Sequence, residues 1–156
     1  ALNKPAARRL PVPVFARPRP EIRIVAGPQE RFFTDEALGR FLGETFAIST
    51  RYNRQGIRLD GPALSISTAL DMPSEPLARG SVQVDGSGQA SVLMADHQPT
   101  GGYPKIGTVI SGDQDRLAQL RPRSPFRFME TSPQSAINML RRRDQLIHSY
   151  LAALRS

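Results

Sequence analysis

The chain has 156 residues, which is enough for a single domain with a buried core. It contains no cysteine, which excludes disulfides, thiol catalysis and thiolate metal sites. We find no run of about 18 apolar residues and no apolar signal-peptide core, so we expect a cytoplasmic protein with no membrane span.

The net charge of +7 is concentrated near the N-terminus. Residues 1–20 contain five basic side chains, five prolines and no acidic residue. Proline-rich sequence favours an extended linker, whereas a nucleic-acid-binding protein is expected to carry its basic residues on a folded face. We therefore predict a Pro/Arg-rich leader at 1–20, a folded domain at 21–156 and no nucleic-acid binding. The alternative, binding through the leader, predicts a steep salt dependence that is lost on deleting residues 1–20.

The first elements in chain order are short strands and one helix. Residues 21–25 alternate polar and apolar side chains, which is typical of a strand, and Gly27-Pro28 ends it. Thr34 is a favourable N-cap for a short helix that reaches about Phe41. Two further strands are predicted, at 46–49 and 57–59. Residues 63–78, which contain two prolines, predict irregular backbone.

The following elements are a hairpin and more short segments. Residues 81–84 and 91–95 alternate strongly around Asp85-Gly86-Ser87-Gly88, which favours a hairpin turn. The remaining short elements are strands predicted at 105–111 and 125–129 and a helix at 113–120. Several closely spaced strands with few helices favour a closed barrel over an open sheet.

The last element is the clearest helix. Ser132 and Pro133 are typical N-cap and first-turn residues. Apolar side chains then recur at helical spacing and form one stripe, which consists of Ile137, Leu140, Ile147, Tyr150, Leu151 and Leu154. This stripe is expected to cover either the barrel or a partner. The neighbouring Arg141-Arg142-Arg143 run is expected on a solvated side of the helix.

The densest polar segment is the predicted loop at 96–104. It brings together a carboxylate, an imidazole, an amide, a hydroxyl and a phenol, from Asp96, His97, Gln98, Thr100 and Tyr103. Gly101 and Gly102 allow the backbone to approach a ligand and to direct N–H groups at an oxyanion. The alternative is a structural loop whose polar side chains cap its own backbone. The residues alone leave both interpretations open.

A second polar segment covers residues 51–56, and Arg58 and Asp60 follow in the next predicted strand. Arg54 could hold a carboxylate or a ureido oxygen in its planar donor group. The alternative is a structural arginine that pairs with Asp60 or Glu44. Other chemistries are disfavoured: the only two histidines, His97 and His148, lack metal-ligand spacing, and no Gly-rich phosphate-binding loop is present. We therefore predict no metal site.

Five segments carry a family resemblance, and they lie at 25–29, 53–62, 74–76, 80–84 and 93–111. With them the sequence resembles the family of the 5-oxoprolinase C subunit, also called allophanate hydrolase subunit 2 or KipA. This family includes the carboxyltransferase domain of urea amidolyase. The last segment, which contains the string Asp-His-Gln-Pro-Thr-Gly-Gly-Tyr-Pro, is the most specific of the five.

The resemblance implies a mainly β, cyclophilin-like closed barrel with one or two short helices and a C-terminal helix. It implies a partner, the KipI-like protein or 5-oxoprolinase B subunit, and a hydrolase-type complex acting on C–N bonds of a small amide, lactam or urea compound. Biotin or ATP would be supplied by the partner, with no cofactor covalently bound here. The alternative is a non-catalytic KipA-type antagonist that binds a KipI-like histidine-kinase inhibitor.

The resemblance also selects site residues. The catalytic candidates are Asp96, Tyr103 and Arg54. The substrate-binding candidates are Asn53, Gln83, Gln98, Thr100, Gly101 and Gly102. The sequence departs from the family pattern at His97, Gln55 and Pro99, where the family usually has Arg, Met and Thr. Family members are about twice as long, so we expect this domain to correspond to their C-terminal half.

Overall fold

The computed structural model describes residues 19–67 and 72–155. The predicted leader therefore lies outside the described residues except for its last two positions. The described residues form nine strands and three α-helices. The strands are β1 (Glu21–Ala26), β2 (Phe46–Tyr52), β3 (Gly56–Asp60), β4 (Glu75–Pro76), β5 (Ser81–Val84), β6 (Ala90–Leu93), β7 (Thr100–Gly101), β8 (Lys105–Val109) and β9 (Pro125–Glu130).

Seven of these strands close into a barrel in the order β1-β8-β5-β6-β3-β2-β9. Neighbouring strands are antiparallel except at the closure, where β1 runs parallel to β9. The remaining two strands, β4 and β7, pair as a separate antiparallel ribbon. The predicted mainly β, closed-barrel fold is thus confirmed.

Two of the three α-helices begin at a capping side chain. The three helices are α1 (Asp35–Gly43), α2 (Ser111–Ala118) and α3 (Pro133–Arg155). Thr34 Oγ1 accepts a hydrogen bond from Ala37 N–H at 3.1 Å, and Ser132 Oγ accepts one from Ser135 N–H at 3.1 Å. Both predicted N-caps are confirmed. Within the described residues, no helix has the length and apolarity needed to cross a membrane.

The barrel interior is filled by apolar side chains, because alternate residues of each strand point inward. Aromatic rings form one side of this core: Phe128 lies 4.6 Å from Phe41 and 5.3 Å from Phe46, measured between ring centroids. Ile57 and Val82 are among the buried residues of the other side. Since the interior is packed, a ligand pocket must lie outside it.

Several element boundaries differ from the prediction, and those of β8 and α2 are an example. The strand expected at 105–111 ends at Val109, and the helix expected at 113–120 already begins at Ser111. The pairing of β8 with β1 stops at Ile24 and Val109, so the last two residues of the predicted strand lie beyond the sheet. We expected irregular backbone at 63–78 and a loop at 96–104. A short part of each segment pairs with the other and forms the β4–β7 ribbon.

The C-terminal helix α3 packs mainly on α2. Residues of the predicted apolar stripe remain substantially exposed, among them Ile137 and Leu151, each at 46%. Of the arginine run, Arg141 and Arg142 are exposed and Arg143 is half-buried.

A buried carboxylate joins α2 to the barrel. Asp113, in α2, is fully buried. It accepts hydrogen bonds from Arg23 N–H (2.9 Å), Nε (2.8 Å) and Nη2 (2.7 Å), and from Arg116 Nη1 at 3.1 Å. Burial by itself raises the pKa of Asp113, but hydrogen bonds from Arg23 and the charges of both arginines outweigh it and hold that pKa below its usual range.

We expect Asp113→Asn to lower the free energy of unfolding by about 3 kcal/mol, because it leaves two arginines without their shared carboxylate. The folded-state pKa lies below the unfolded value of about 3.9, so this contribution is present above about pH 4 and is lost as the pH falls through the folded-state pKa. Urea denaturation at several pH values measures it. Asp115→Asn, an exposed carboxylate on the same helix, should cost less than about 1 kcal/mol. Equal losses would contradict this role for Asp113.

Candidate functional site

The outer face of β3, β6 and β5 carries a row of polar side chains. Arg58 is the register partner of Ser91, and Ser91 is the partner of Gln83. Ile57 and Val82, their neighbours in sequence, are buried in the barrel, so the row points away from it. Directly opposed side chains on adjacent strands are about 5 Å apart, so the row forms a continuous polar floor.

A pocket of about 270 Å³ lies over this floor, and we call it the outer-wall pocket. Carboxamide side chains dominate its lining: Asn53, Gln55, Gln83, Gln89 and Gln98. Tyr103 also lines it, as do two arginines and one carboxylate, which are Arg51, Arg58 and Asp85. Four of the predicted site residues, Asn53, Gln83, Gln98 and Tyr103, are thus brought to one cavity.

The turn at 53–56 fixes one rim of the outer-wall pocket. Asn53 Oδ1 accepts hydrogen bonds from Gln55 N–H at 2.8 Å and Gly56 N–H at 3.1 Å. An asparagine that bonds its own following backbone stabilises a tight turn. The amide oxygen of Asn53 is therefore engaged in shaping the rim.

Arg54 pairs with Asp96, not with Asp60 or Glu44. The contact is bidentate: Nε donates to Oδ2 at 2.5 Å and Nη2 donates to Oδ1 at 3.1 Å. Asp96 N–H also donates to Arg54 O at 2.9 Å, so backbone and side chain join the same two segments. The hydrogen bond from Arg54 lowers the pKa of Asp96 below its ordinary value.

The guanidinium group of Arg54 lies beside the outer-wall pocket and does not line it. Arg54 lines a neighbouring, more open hollow of about 370 Å³ together with Tyr52 and Met94. The predicted catalytic residues are therefore divided: Tyr103 faces the outer-wall pocket, whereas Arg54 and Asp96 pair at its edge.

The paired glycines lie where the β4–β7 ribbon meets the barrel. A Cβ atom at Gly101 would stand 3.0 Å from Leu77 Cδ1 and 3.1 Å from Gln83 Nε2, so a side chain there would displace one of them. Gln83 Nε2 donates to Tyr103 O at 3.3 Å. Thr100, the ribbon partner of Pro76, is exposed. The ribbon thus approaches the polar floor closely through Gly101.

Three polar residues that the sequence did not identify hold this ribbon in place, and we call them the ribbon clamp: Gln29, Glu75 and Lys105. Glu75 Oε2 accepts hydrogen bonds from Gln29 Nε2 at 2.6 Å and Lys105 Nζ at 3.1 Å. Gln29 Oε1 in turn accepts from Lys105 N–H at 2.7 Å. Each of the three lies in a segment that carries the family resemblance, which is the one signal that could have marked them.

Arg58 was also not identified as a site residue. Its Nη2 lies 3.4 Å from Asp85 Oδ2 on the floor of the outer-wall pocket. Burial raises the pKa of Asp85, but hydrogen bonds from Ser87 and Gln89 and the charge of Arg58 lower it overall. No group of three metal-ligating side chains occurs within 19–67 and 72–155.

Fold and site together define a closed β-barrel protein with a small carboxamide-lined pocket on its outer wall. The model of the family described as "Carboxyltransferase domain, subdomain A and B" matches residues 2–130. Because this match covers most of the sequence, the chain belongs to that carboxyltransferase-domain family.

Relatives support this membership. The chain is 36% identical over 134 residues to the 5-oxoprolinase C subunit of Haemophilus influenzae, covering 86% of this chain and 42% of that protein. It is 37% identical over 124 residues to the Escherichia coli protein of the same name, covering 80% and 39%. The chain therefore spans about two fifths of the length of these relatives. Urea amidolyase of Kluyveromyces lactis shares the fold, with a TM-score of 0.78 at 19% identity over 83% of this chain and 8% of that one.

We expect Glu75→Ala to release the ribbon without unfolding the barrel, because it removes the shared acceptor of the ribbon clamp. Hydrogen exchange measures this. The Leu77 amide, which donates to Pro99 O at 2.9 Å, should exchange at least about tenfold faster, while the amide of Val92 in the barrel stays unchanged. Glu44→Ala, at an exposed position, is the control. An unchanged rate at Leu77 would contradict the clamp.

Proposed function

We propose that this chain is a subunit or domain of a 5-oxoprolinase or allophanate hydrolase-type complex, which acts on a small amide, lactam or urea compound with a KipI-like partner subunit. The carboxamide lining of the outer-wall pocket carries this proposal. The shared name of the two curated relatives, which are both C subunits of 5-oxoprolinase, supports it.

The lining matches the hydrogen-bonding pattern of an amide substrate. Each asparagine or glutamine side chain offers a carbonyl acceptor and two N–H donors. A lactam or urea group presents an acceptor and a donor side by side, so it can pair with such side chains on both edges. A cavity of about 270 Å³ is near the lower end of the usual range for ligand pockets, which supports a compound of metabolite size.

The charges of the outer-wall pocket support an anionic substrate. Arg51 and Arg58 line it together with one carboxylate, Asp85, so one positive charge is left in excess. A guanidinium group binds a carboxylate well through its planar donors. This favours a lactam that carries a carboxylate, such as 5-oxoproline, over neutral urea.

The predicted residues take different roles in this proposal. Gln83, Gln98 and Tyr103 bind the substrate amide, and the backbone of Thr100, Gly101 and Gly102 presents Tyr103. Asp96 is a weak proton acceptor at neutral pH, because hydrogen bonding to Arg54 holds its pKa low. The Arg54–Asp96 pair therefore acts by joining the two segments of the rim on which Asn53 and Gln98 lie.

The group-transfer chemistry is assigned to the partner. The residues that line the outer-wall pocket include no lysine and no histidine. In line with the family resemblance, the partner protein brings ATP or carboxybiotin to the substrate, and this chain binds and orients the substrate.

Arg54→Ala and Asp96→Ala should each lower the turnover of 5-oxoproline by the complex reconstituted with the KipI-like partner. We expect at least about a tenfold loss from each, because the rim loses its bidentate connection. The double variant should lose little more than either single variant, since both remove the same interaction. Steady-state kinetics measures all three.

The matched control is another exposed ion pair, Arg40–Glu36 in α1, with a nitrogen–oxygen distance of 2.7 Å. Arg40→Ala should leave turnover unchanged. Unchanged turnover in the Arg54 and Asp96 variants would contradict the proposal. A stable complex with the KipI-like protein and no turnover of 5-oxoproline, urea or allophanate would instead indicate the non-catalytic antagonist, which no observation here favours.

A further inference from the structure

A second cavity lies between α3 and the end of the barrel, away from the outer-wall pocket. It has a volume of about 310 Å³, and we call it the arginine pocket. Five arginines line it: Arg19, Arg23, Arg116, Arg142 and Arg143. Helix α3 begins beyond residue 130, where the family match ends, so this cavity depends on a part of the chain outside that match.

The carboxylates around the arginine pocket neutralise only part of this charge. Arg23 and Arg116 share the single carboxylate of Asp113, at 2.7 Å and 3.1 Å. Arg143 lies 3.8 Å from Asp115, which also pairs with Arg79 at 3.2 Å.

Neither of the two other arginines is neutralised within the described part of the chain. Arg19 and Arg142 form no ion pair there. Five of the lining residues are arginines. Among the residues in 19–67 and 72–155, two carboxylates, Asp113 and Asp115, pair with them, which leaves an excess of three positive charges. Such a concentration of charge favours an anion.

The rest of the arginine pocket is apolar. Ile110 lies between β8 and α2, and Met139, Leu140 and Leu146 come from α3. Leu140 and Leu146 remain 37% and 45% exposed in the chain as described. An apolar group placed against them would remove apolar surface from water, while an attached anion would meet the arginines.

We propose that the arginine pocket binds a small amphiphilic anion, a carboxylate or phosphate carried on a short apolar chain. It shares no lining residue with the outer-wall pocket. The proposal therefore goes beyond the proposed function, and either can fail without the other.

The test is calorimetric titration of the full chain at physiological salt with octanoate and octyl phosphate, which separates the carboxylate from the phosphate. Inorganic phosphate supplies the charge alone and octanol the chain alone. At least one of the two amphiphiles should bind at one site, at least tenfold more tightly than either part.

Adjacent arginines provide a matched pair of variants. Arg142→Gln, in the lining, should weaken binding of the amphiphile at least tenfold. Arg141→Gln removes the same charge from the next residue, which is exposed and does not line the pocket, and should change affinity less than twofold. Leu146→Ser and Leu151→Ser form a second pair for the apolar wall, with Leu151 as the control. Thermal unfolding should show that all four variants are folded.

Three results would overturn the proposal. Equal losses for Arg141→Gln and Arg142→Gln would show attraction to the overall charge of α3. Inorganic phosphate binding as tightly as octyl phosphate would show a simple anion site without a role for the apolar wall. The absence of saturable binding by both amphiphiles would show that the cavity takes no such ligand.

Discussion

The hydrogen bonds of Glu75 to Gln29 and Lys105 are the contacts on which the geometry of the outer-wall pocket depends. Glu75 is also the ribbon partner of Gly101, so fixing Glu75 against β8 fixes the strand that approaches Gln83. No buried side-chain nitrogen or oxygen of the described residues lacks a partner, and this includes the buried atoms of the ribbon clamp. Satisfied polar networks of this kind rigidify a structure, whereas an unpaired member would be costly.

Much of the fold could be predicted because its signals are local. Thr34 and Ser132 cap helices through hydrogen bonds to residues three positions later, and the 85–88 turn joins two alternating segments that are adjacent in sequence. The alternation of polar and apolar side chains along each strand also shows which residues fill the barrel. Much of the candidate site was reached through family resemblance, which selected Gln83 although it lies in no recognisable catalytic motif.

The remaining parts of the site could not be predicted because their partners are distant in sequence. Arg54 and Asp96 are 42 residues apart, and Gln29 meets Lys105 across 76 residues. Sequence spacing therefore suggested Asp60 or Glu44 as the partner of Arg54 and did not identify Asp96. The apolar stripe of α3 was visible in the sequence, but the surface that α3 packs on was not. Strand β9 lies between α2 and α3 in the sequence, and its pairing with β1 closes the barrel and determines where α3 begins relative to α2.

In the proposed function, the ligand binds on the outside of the barrel, over the row formed by Arg58, Ser91 and Gln83. The most direct test is an amide chemical-shift titration of the isotope-labelled chain, in complex with its KipI-like partner, against 5-oxoproline. We predict that the largest shifts occur at Ser91, Gln83 and Tyr103. Shifts confined to the far side of the barrel, or no saturable shifts at all, would contradict it.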